Sequence, residues 1–228
     1  MRNTSDIIKE RLTQGGKRYW AGDNISEYLE EGDKESLIKE LTPKFEAVLD
    51  SLVIDRIKDP NSMDTGKRLA KMYINEIMAG RYTPRPVATA FPNTTEGYDG
   101  MLVVRSELKS VCSHHHQPVT GVAYIGVIAA DELIGLSKYT RIAQWCARRG
   151  TLQEELAMDI AREIQGATKS ENVGVYIQAI HGCCENRGIM ATSSLTQTTV
   201  LRGSFYDVPG CKKEFMDNIK LQQSFVSQ

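Results

Sequence analysis

The stretch that most constrains this chain runs from Cys112 to Pro118, Cys-Ser-His-His-His-Gln-Pro, and holds three of only four histidines. The fourth, His181, stands about 70 residues downstream in His181-Gly182-Cys183-Cys184. Every histidine therefore lies within a few residues of a cysteine. Neutral imidazole and thiolate are the preferred ligands of zinc, which takes them in tetrahedral geometry. Two neighbouring Cys-x-x-Cys knuckles would make a local site. Two clusters this far apart instead demand a fold that carries both to one place. That pattern suits a catalytic metal held by three protein groups, with one position open to water. The competing view, ordinary core and surface residues, requires all four histidines to fall beside cysteines by accident.

At 228 residues, 41% hydrophobic and 25% charged, the chain is long enough for one good-sized globular core with a small helical appendage. The net charge of -1 gives no global footprint for nucleic acid or an anionic membrane, so any anionic ligand must be met by local basic residues. Five cysteines is an odd count without the spacing of a secreted disulfide framework, which fits a reducing cytoplasmic setting. The first residues, to Lys17, are polar with no apolar signal-peptide core, and no apolar run approaches the roughly 20 residues of a membrane span.

Residues 1–33 are polar and predict loosely held structure, with Tyr19 and Trp20 free to dock on the body of the chain or on a neighbouring subunit. From Lys34 to Lys58, Leu37, Ile38, Leu41, Phe45, Val48, Leu49, Leu52 and Val53 recur at three and four, which predicts one amphipathic helix or two broken near Pro43. Asp64 or Thr65 reads as the cap of a helix that stops at Gly80, and the prolines and glycines of 81–100, including Gly97, predict a long connection. Met101–Val111 and Val119–Ile128 are rich in Val, Ile and Tyr with partial alternation, so they read as two strands joined through the Cys-His cluster. A helix capped at Ser137 or a neighbour, a break at Gly150-Thr151 and a second helix ending near Gly166 follow. Strands over Asn172–Ile180 and Leu195–Phe205 and a helix over Lys212–Leu221 complete the chain. Two strands, a helical pair and two strands point to an α+β fold, an antiparallel sheet with helices on one face.

Between the two metal clusters stand further candidates. Ser137, Lys138 and Arg141 open the first central helix, where free N–H groups and added positive charge favour a phosphate, although a solvated charged face is the commoner fate of such residues. Gln153-Glu154-Glu155 opens the second helix. A carboxylate there most often only complements the helix dipole, which the sequence by itself favours; a buried one is able instead to accept two N–H groups of a guanine-type base. Arg187, four residues past Cys183, calls for an anion if it stands close to a metal.

Taken in this order, Cys112 to Pro118, Gly135-Leu136-Ser137-Lys138 with Arg141-Ile142, Leu152-Gln153-Glu154, and His181-Gly182-Cys183 with Arg187-Gly188 resemble GTP cyclohydrolase I. The resemblance begins at Asp64-Thr65-Gly66-Lys67-Arg68 and extends to about Phe215. It implies residues 64–228 as the catalytic domain, preceded by a polar and helical region at 1–63. It implies the tunnelling fold, an antiparallel sheet with two helices on one face, whose subunits assemble into barrels. A decamer of two stacked pentamers is the usual form, with active sites at subunit interfaces.

The resemblance also assigns roles. Cys112, His115 and Cys183 match the zinc ligands, and His114 and His181 the histidines that assist proton transfer. Glu154 matches the carboxylate that anchors guanine, with Gln153 its neighbour in the pocket. Ser137, Lys138, Arg141, Arg187 and Arg68 match the residues along the triphosphate and ribose. The implied reaction is hydrolysis of GTP to 7,8-dihydroneopterin triphosphate and formate, a step that feeds folate, other pterin or deazapurine synthesis. Zinc acidifies water for addition at carbon 8 of guanine, and imidazoles of pKa near 6.5 carry protons as the ring opens.

The chain departs from the family pattern at Ser113, where glutamate is usual, at His116, where an apolar residue is usual, and at Gly66, which replaces a proline. His116 and Cys184 are spare donors for a metal. They motivate a second reading, a non-catalytic oligomeric nucleotide-binding protein with a closed structural zinc. A third is an enzyme of the same fold acting on a variant purine nucleotide.

Overall fold

The computed structural model describes residues 2–94 and 98–226. Gly97 of the predicted connection lies outside these. The contacts divide the chain into two compact units, Met1–Pro84 with Arg148–Gly150, and Arg85–Ala147 with Thr151–Gln228.

The first unit is helical: α1 (Thr4–Gln14), a 3-10 turn at Ser26–Tyr28, α2 (Asp33–Ser51), α3 (Thr65–Met72), a π turn at Tyr73–Ile77, and α4 (Ala79–Tyr82). Its core gathers Ile8, Leu12, Ile25, Leu37 and Ile74. The expectation of loose structure over 1–33 is corrected by α1. Only two of its residues, Ile8 and Leu12, are buried, which is too short an apolar stripe to announce a helix. Its first turn is satisfied from far along the chain: the Glu40 carboxylate accepts from the Ser5 N–H at 2.9 Å and the Ser5 hydroxyl at 2.6 Å. Burial alone would raise the Glu40 pKa, but the Lys44 ammonium and the Ser5 donors hold it down to about 2.

Of the two alternatives at Pro43, the structure takes the single helix: α2 runs through it, but ends at Ser51 rather than Lys58. Gly80 does not end a helix; it is buried within α4, and its carbonyl accepts the Asn24 amide at 2.7 Å. Tyr19 and Trp20 do not dock by their rings on the body of their own chain, where Trp20 is 67% exposed under the Arg18 guanidinium. The backbone there is what is tied down: Arg81 donates to the carbonyls of Tyr19, Trp20, Ala21 and Asp23.

The second unit is built on a four-stranded antiparallel sheet, β2 (Met101–Val111), β3 (Pro118–Ile128), β5 (Val173–His181) and β6 (Leu195–Leu201), in the order β2-β3-β5-β6. On one face lie α5 (Leu136–Ala147) and α6 (Gln153–Thr168). Alternation decides which residues meet them: Ala123, Ile125 and Val127 of β3 and Val175, Ile177 and Ala179 of β5 point into that core. Tyr124 and Tyr176, one residue out of phase, point the other way and are covered by Phe205, Phe215 and Ile219. These last belong to α8 (Ser204–Asp207) and α9 (Pro209–Val226). The central strands, covered on both faces, are therefore nearly continuously buried. A short pair, β1 (Ala90–Pro92) with β4 (Glu132–Ile134), and α7 (Gly182–Glu185) complete the unit. Among the described residues no helix is long and apolar enough to cross a membrane.

Strand β6 ends at Leu201 rather than Phe205, because Gly203 takes a positive φ of 56° and swings Phe205 inward to bury its ring. Helix α6 continues past Gly166 to Thr168, and Lys169 takes the left-handed conformation in place of glycine. Gly126 and Gly174 face each other across β3 and β5 and leave the room that the Phe205 and Phe215 rings fill. A Cβ on Gly126 would lie 2.8 Å from Phe215 and 2.9 Å from Phe205. The Gly126→Ala variant is expected to lose about 1–3 kcal/mol by overpacking, read as an earlier urea midpoint. An unchanged midpoint would mean that the rings shift without cost.

Candidate active site

The register of the sheet brings the two distant clusters together. Val111 pairs with Pro118 at the end of β2 and β3, and the next residue of β3, Val119, pairs with His181 at the end of β5. The 112–117 turn and the His181–Cys183 segment thus leave the sheet at the same end. The turn is closed by Cys112 N–H to the Gln117 carbonyl and His116 N–H to the Cys112 carbonyl, both 2.9 Å. It is completed by His116 in the left-handed region at φ 50°. Gly182 is buried so tightly that a Cβ would meet the Pro118 carbonyl at 3.0 Å, which lets α7 start directly against the turn.

Cys112, His115 and Cys183 converge, with their ligand atoms all within 4.8 Å of one another. Zinc bonds of about 2.0–2.3 Å need ligand atoms about 3.3–3.8 Å apart, so the donor set and spacing fit zinc after small side-chain adjustments. Cys112 is buried, while His115 reaches the surface. Burial, reinforced by the neighbouring Cys112 thiol, pushes the Cys183 thiol up to about 11. Two adjacent thiols of this kind become thiolates only beside a cation. Neither spare donor, His116 nor Cys184, belongs to the convergent group, which leaves three protein ligands among the described residues.

The predicted proton carriers stand on either side. The His114 ring is edge-on to His115 at 6.2 Å between centroids and exposed to solvent. His181 is half-buried; burial lowers its pKa, and the Glu154 carboxylate works in the opposite direction. Its Nε2 lies 2.8 Å from Gln153 Oε1. Gln153 and Glu154 open α6, the first buried and the second exposed in the first turn. Cys112, His115, Cys183, His181, Gln153 and Glu154 therefore form one constellation.

Three basic-side residues lie elsewhere. The Ser110 hydroxyl donates to the Ala147 carbonyl at 2.7 Å, which pins the C-terminal end of α5 beside the metal end of β2. About 15 Å of helix axis separates Ser137 from Ala147. Ser137, Lys138 and Arg141 consequently stand near the far end of α5 from their own chain's metal group. Lys138 Nζ donates there to the Val87 carbonyl at 2.9 Å. The helix begins at Leu136, so Ser137 sits in its first turn and not at the cap. Arg187 follows α7 and is exposed. Arg68 lies in the helical unit, exposed, and donates to the Asn61 carbonyl at 3.1 Å.

The family model for GTP cyclohydrolase I matches residues 42–220. This chain belongs to the GTP cyclohydrolase I family. It is 37% identical over 193 residues to GTP cyclohydrolase 1 of Flavobacterium johnsoniae, covering 84% of this chain and 85% of the relative. It is 37% identical to that of Aeromonas salmonicida, over 76% of this chain and 80% of the relative. The corresponding figures for Klebsiella pneumoniae subsp. pneumoniae are 35%, 84% and 86%. A solved chain of archaeosine synthase QueF-Like aligns with 45% of this chain and 93% of its own at 16% identity and a TM-score of 0.38, too distant to argue from.

Within this family frame, the motif reading overlooked two residues, Thr196 and Thr198. Both receive the Gln153 amide nitrogen, at 3.3 Å through the Thr196 carbonyl and at 3.0 Å through the Thr198 hydroxyl. The alternation of threonine in β6 puts them on one face. Nothing in the sequence names their partner.

Proposed function

We propose that the protein hydrolyses GTP to 7,8-dihydroneopterin triphosphate and formate in the cytoplasm. The observation that carries the reading is the convergence of Cys112, His115 and Cys183 beside His181 and Glu154 in a chain of this family. Cys112, His115 and Cys183 hold zinc. When bound there, zinc supplies Lewis acidity and a water acidified toward neutral pH. Glu154, exposed at the start of α6, accepts the two N–H groups of the guanine edge and fixes the base. His114 and His181 deliver and remove protons at the imidazole ring of guanine as it is hydrated and opened, a role matched to neutral imidazoles. Ser137, Lys138, Arg141, Arg187 and Arg68 bind the triphosphate and ribose. Formate leaves, and ribose opening and reclosure give the pterin, a precursor for folate, another pterin or a deazapurine.

The separation of the two ends of α5 supports a site shared between copies. A chain presents its guanine-side residues near one end of α5 and Ser137, Lys138 and Arg141 near the other. Barrel-type assembly of the sheet, with a decamer of two pentamers as the family's usual form, brings the far end of one copy to the metal end of the next. Three convergent protein ligands, with His116 and Cys184 outside the group, favour a metal open to water over a closed structural one.

The test is turnover of GTP by the purified, zinc-loaded protein, followed as formate and pterin fluorescence, beside His114→Ala. The wild type is expected to release one formate per GTP, and the variant to be slower by about 10²–10⁴-fold, the usual worth of a general acid or base. A wild type carrying one zinc per chain and silent toward GTP would sink the reading. Faster turnover of dGTP or GDP than of GTP would move it to a variant purine nucleotide.

A further inference from the structure

Gln153 is 4% exposed, and both ends of its side-chain amide are engaged. The nitrogen end meets the Thr196 carbonyl at 3.3 Å and the Thr198 hydroxyl at 3.0 Å. A peptide carbonyl only accepts, so the NH2 group must face β6; the flipped amide would set two oxygens against each other. Oε1 is thereby turned to His181, 2.8 Å from Nε2. An amide oxygen also only accepts, so Nε2 must carry the hydrogen, and in the neutral ring Nδ1 holds the lone pair.

We propose that Gln153 is a positioning residue that locks His181 as its Nε2–H tautomer, leaving the Nδ1 lone pair as the ring's acceptor. The part of this that concerns turnover rests on the cyclohydrolase reading; the tautomer does not. Gln153 thus acts through His181, with its own orientation dictated from β6, an element that carries none of the other site residues.

Selective ¹⁵N-histidine solid-state NMR of the zinc-loaded protein, with the His181 signals identified by their loss in His181→Ala, reads the tautomer directly. The wild type is expected to show Nε2 protonated and Nδ1 bare. Gln153→Met keeps the length and removes the acceptor, and is expected to give a mixture of tautomers. Gln153→Asn, too short to bridge, serves in place of methionine if that variant does not fold. In turnover, Gln153→Met is expected to lower kcat by about 10²-fold or more while the KM for GTP stays within about threefold. A bare Nε2 in the wild type would overturn the proposal, as would a His181 spectrum indifferent to Gln153→Met. A rise in KM at unchanged kcat would also overturn it and make Gln153 a base-binding residue. The expected spectra in a protein that turns over no GTP would uphold the tautomer lock and remove the cyclohydrolase reading alone.

Discussion

Cys183→Ser is expected to take zinc from one per chain to a small fraction of that, and formate release to the assay background. The reason is the shape of the donor set. Three protein groups converge, Cys112 and Cys183 lie side by side, and neither Cys184 nor His116 belongs to the convergent group. A serine hydroxyl does not ionise near neutral pH and is a poor ligand for a borderline-soft ion. Cys184→Ser, one residue along, is the matched control: its thiol touches Cys183 but lies outside the convergent group, so metal and turnover are expected to stay within about twofold. Metal content by mass spectrometry decides the matter independently of activity; full zinc occupancy in Cys183→Ser would place the metal elsewhere. A sign for pH follows as well. Burial and the adjacent Cys112 thiol hold the Cys183 thiol protonated, up to about 11, until a cation arrives. Zinc binding must expel that proton, so affinity for the metal-free chain is expected to tighten as pH rises from 6 to 8.

Glu154→Gln is expected to cut kcat/KM for GTP by about 10²–10³-fold, since two charge-assisted hydrogen bonds are worth about 1.5–3 kcal/mol each before the new amide recovers part of one. The loss should fall mainly on KM, because Glu154 binds the base and does not move a proton in this reading. Zinc content should not change, since the carboxylate lies outside the metal group. The His181 environment shifts too: with the Glu154 charge gone, the influence that raises its pKa disappears and burial alone remains to lower it. A variant with normal KM and normal kcat would show that Glu154 merely complements the dipole of α6, the ordinary role of an acidic residue in a first helical turn.

The elements that were legible from sequence are those whose signal is periodic and local. Met101–Val111 alternates over a full strand, and its bounds match β2. The two central helices and the C-terminal helix carry strong apolar stripes, and only their ends moved, by a few residues at most sites. What failed was set by partners far away in the chain. Helix α1 forms because Glu40 accepts from Ser5 and because Ile8 and Leu12 find Leu37 and Ile74, none of which a window over residues 1–33 contains. Pro43 left one helix or two open, and only the packed structure decides for one, a 19-residue helix that absorbs a single lost hydrogen bond. The pair β1 and β4 is three residues on each side, too short for any period to declare itself.

For the site, the sequence by itself determined the chemistry on offer: which side chains are able to bind zinc, carry a proton or accept a guanine edge, and that the ligands come in two clusters that a fold must unite. Only the tertiary structure shows which donors converge. The pairing of Val111 with Pro118 and of Val119 with His181 aims Cys112, His115 and Cys183 at one point and leaves His116 and Cys184 outside it. The same register, with α6 laid across β5 and β6, turned Gln153 from a neighbour of Glu154 in the motif into the partner of His181. Residue type sets what an atom is able to donate or accept. Which atom it meets depends on strand register and helix placement, which are fixed by the burial of the whole core and are written at no single position of the chain.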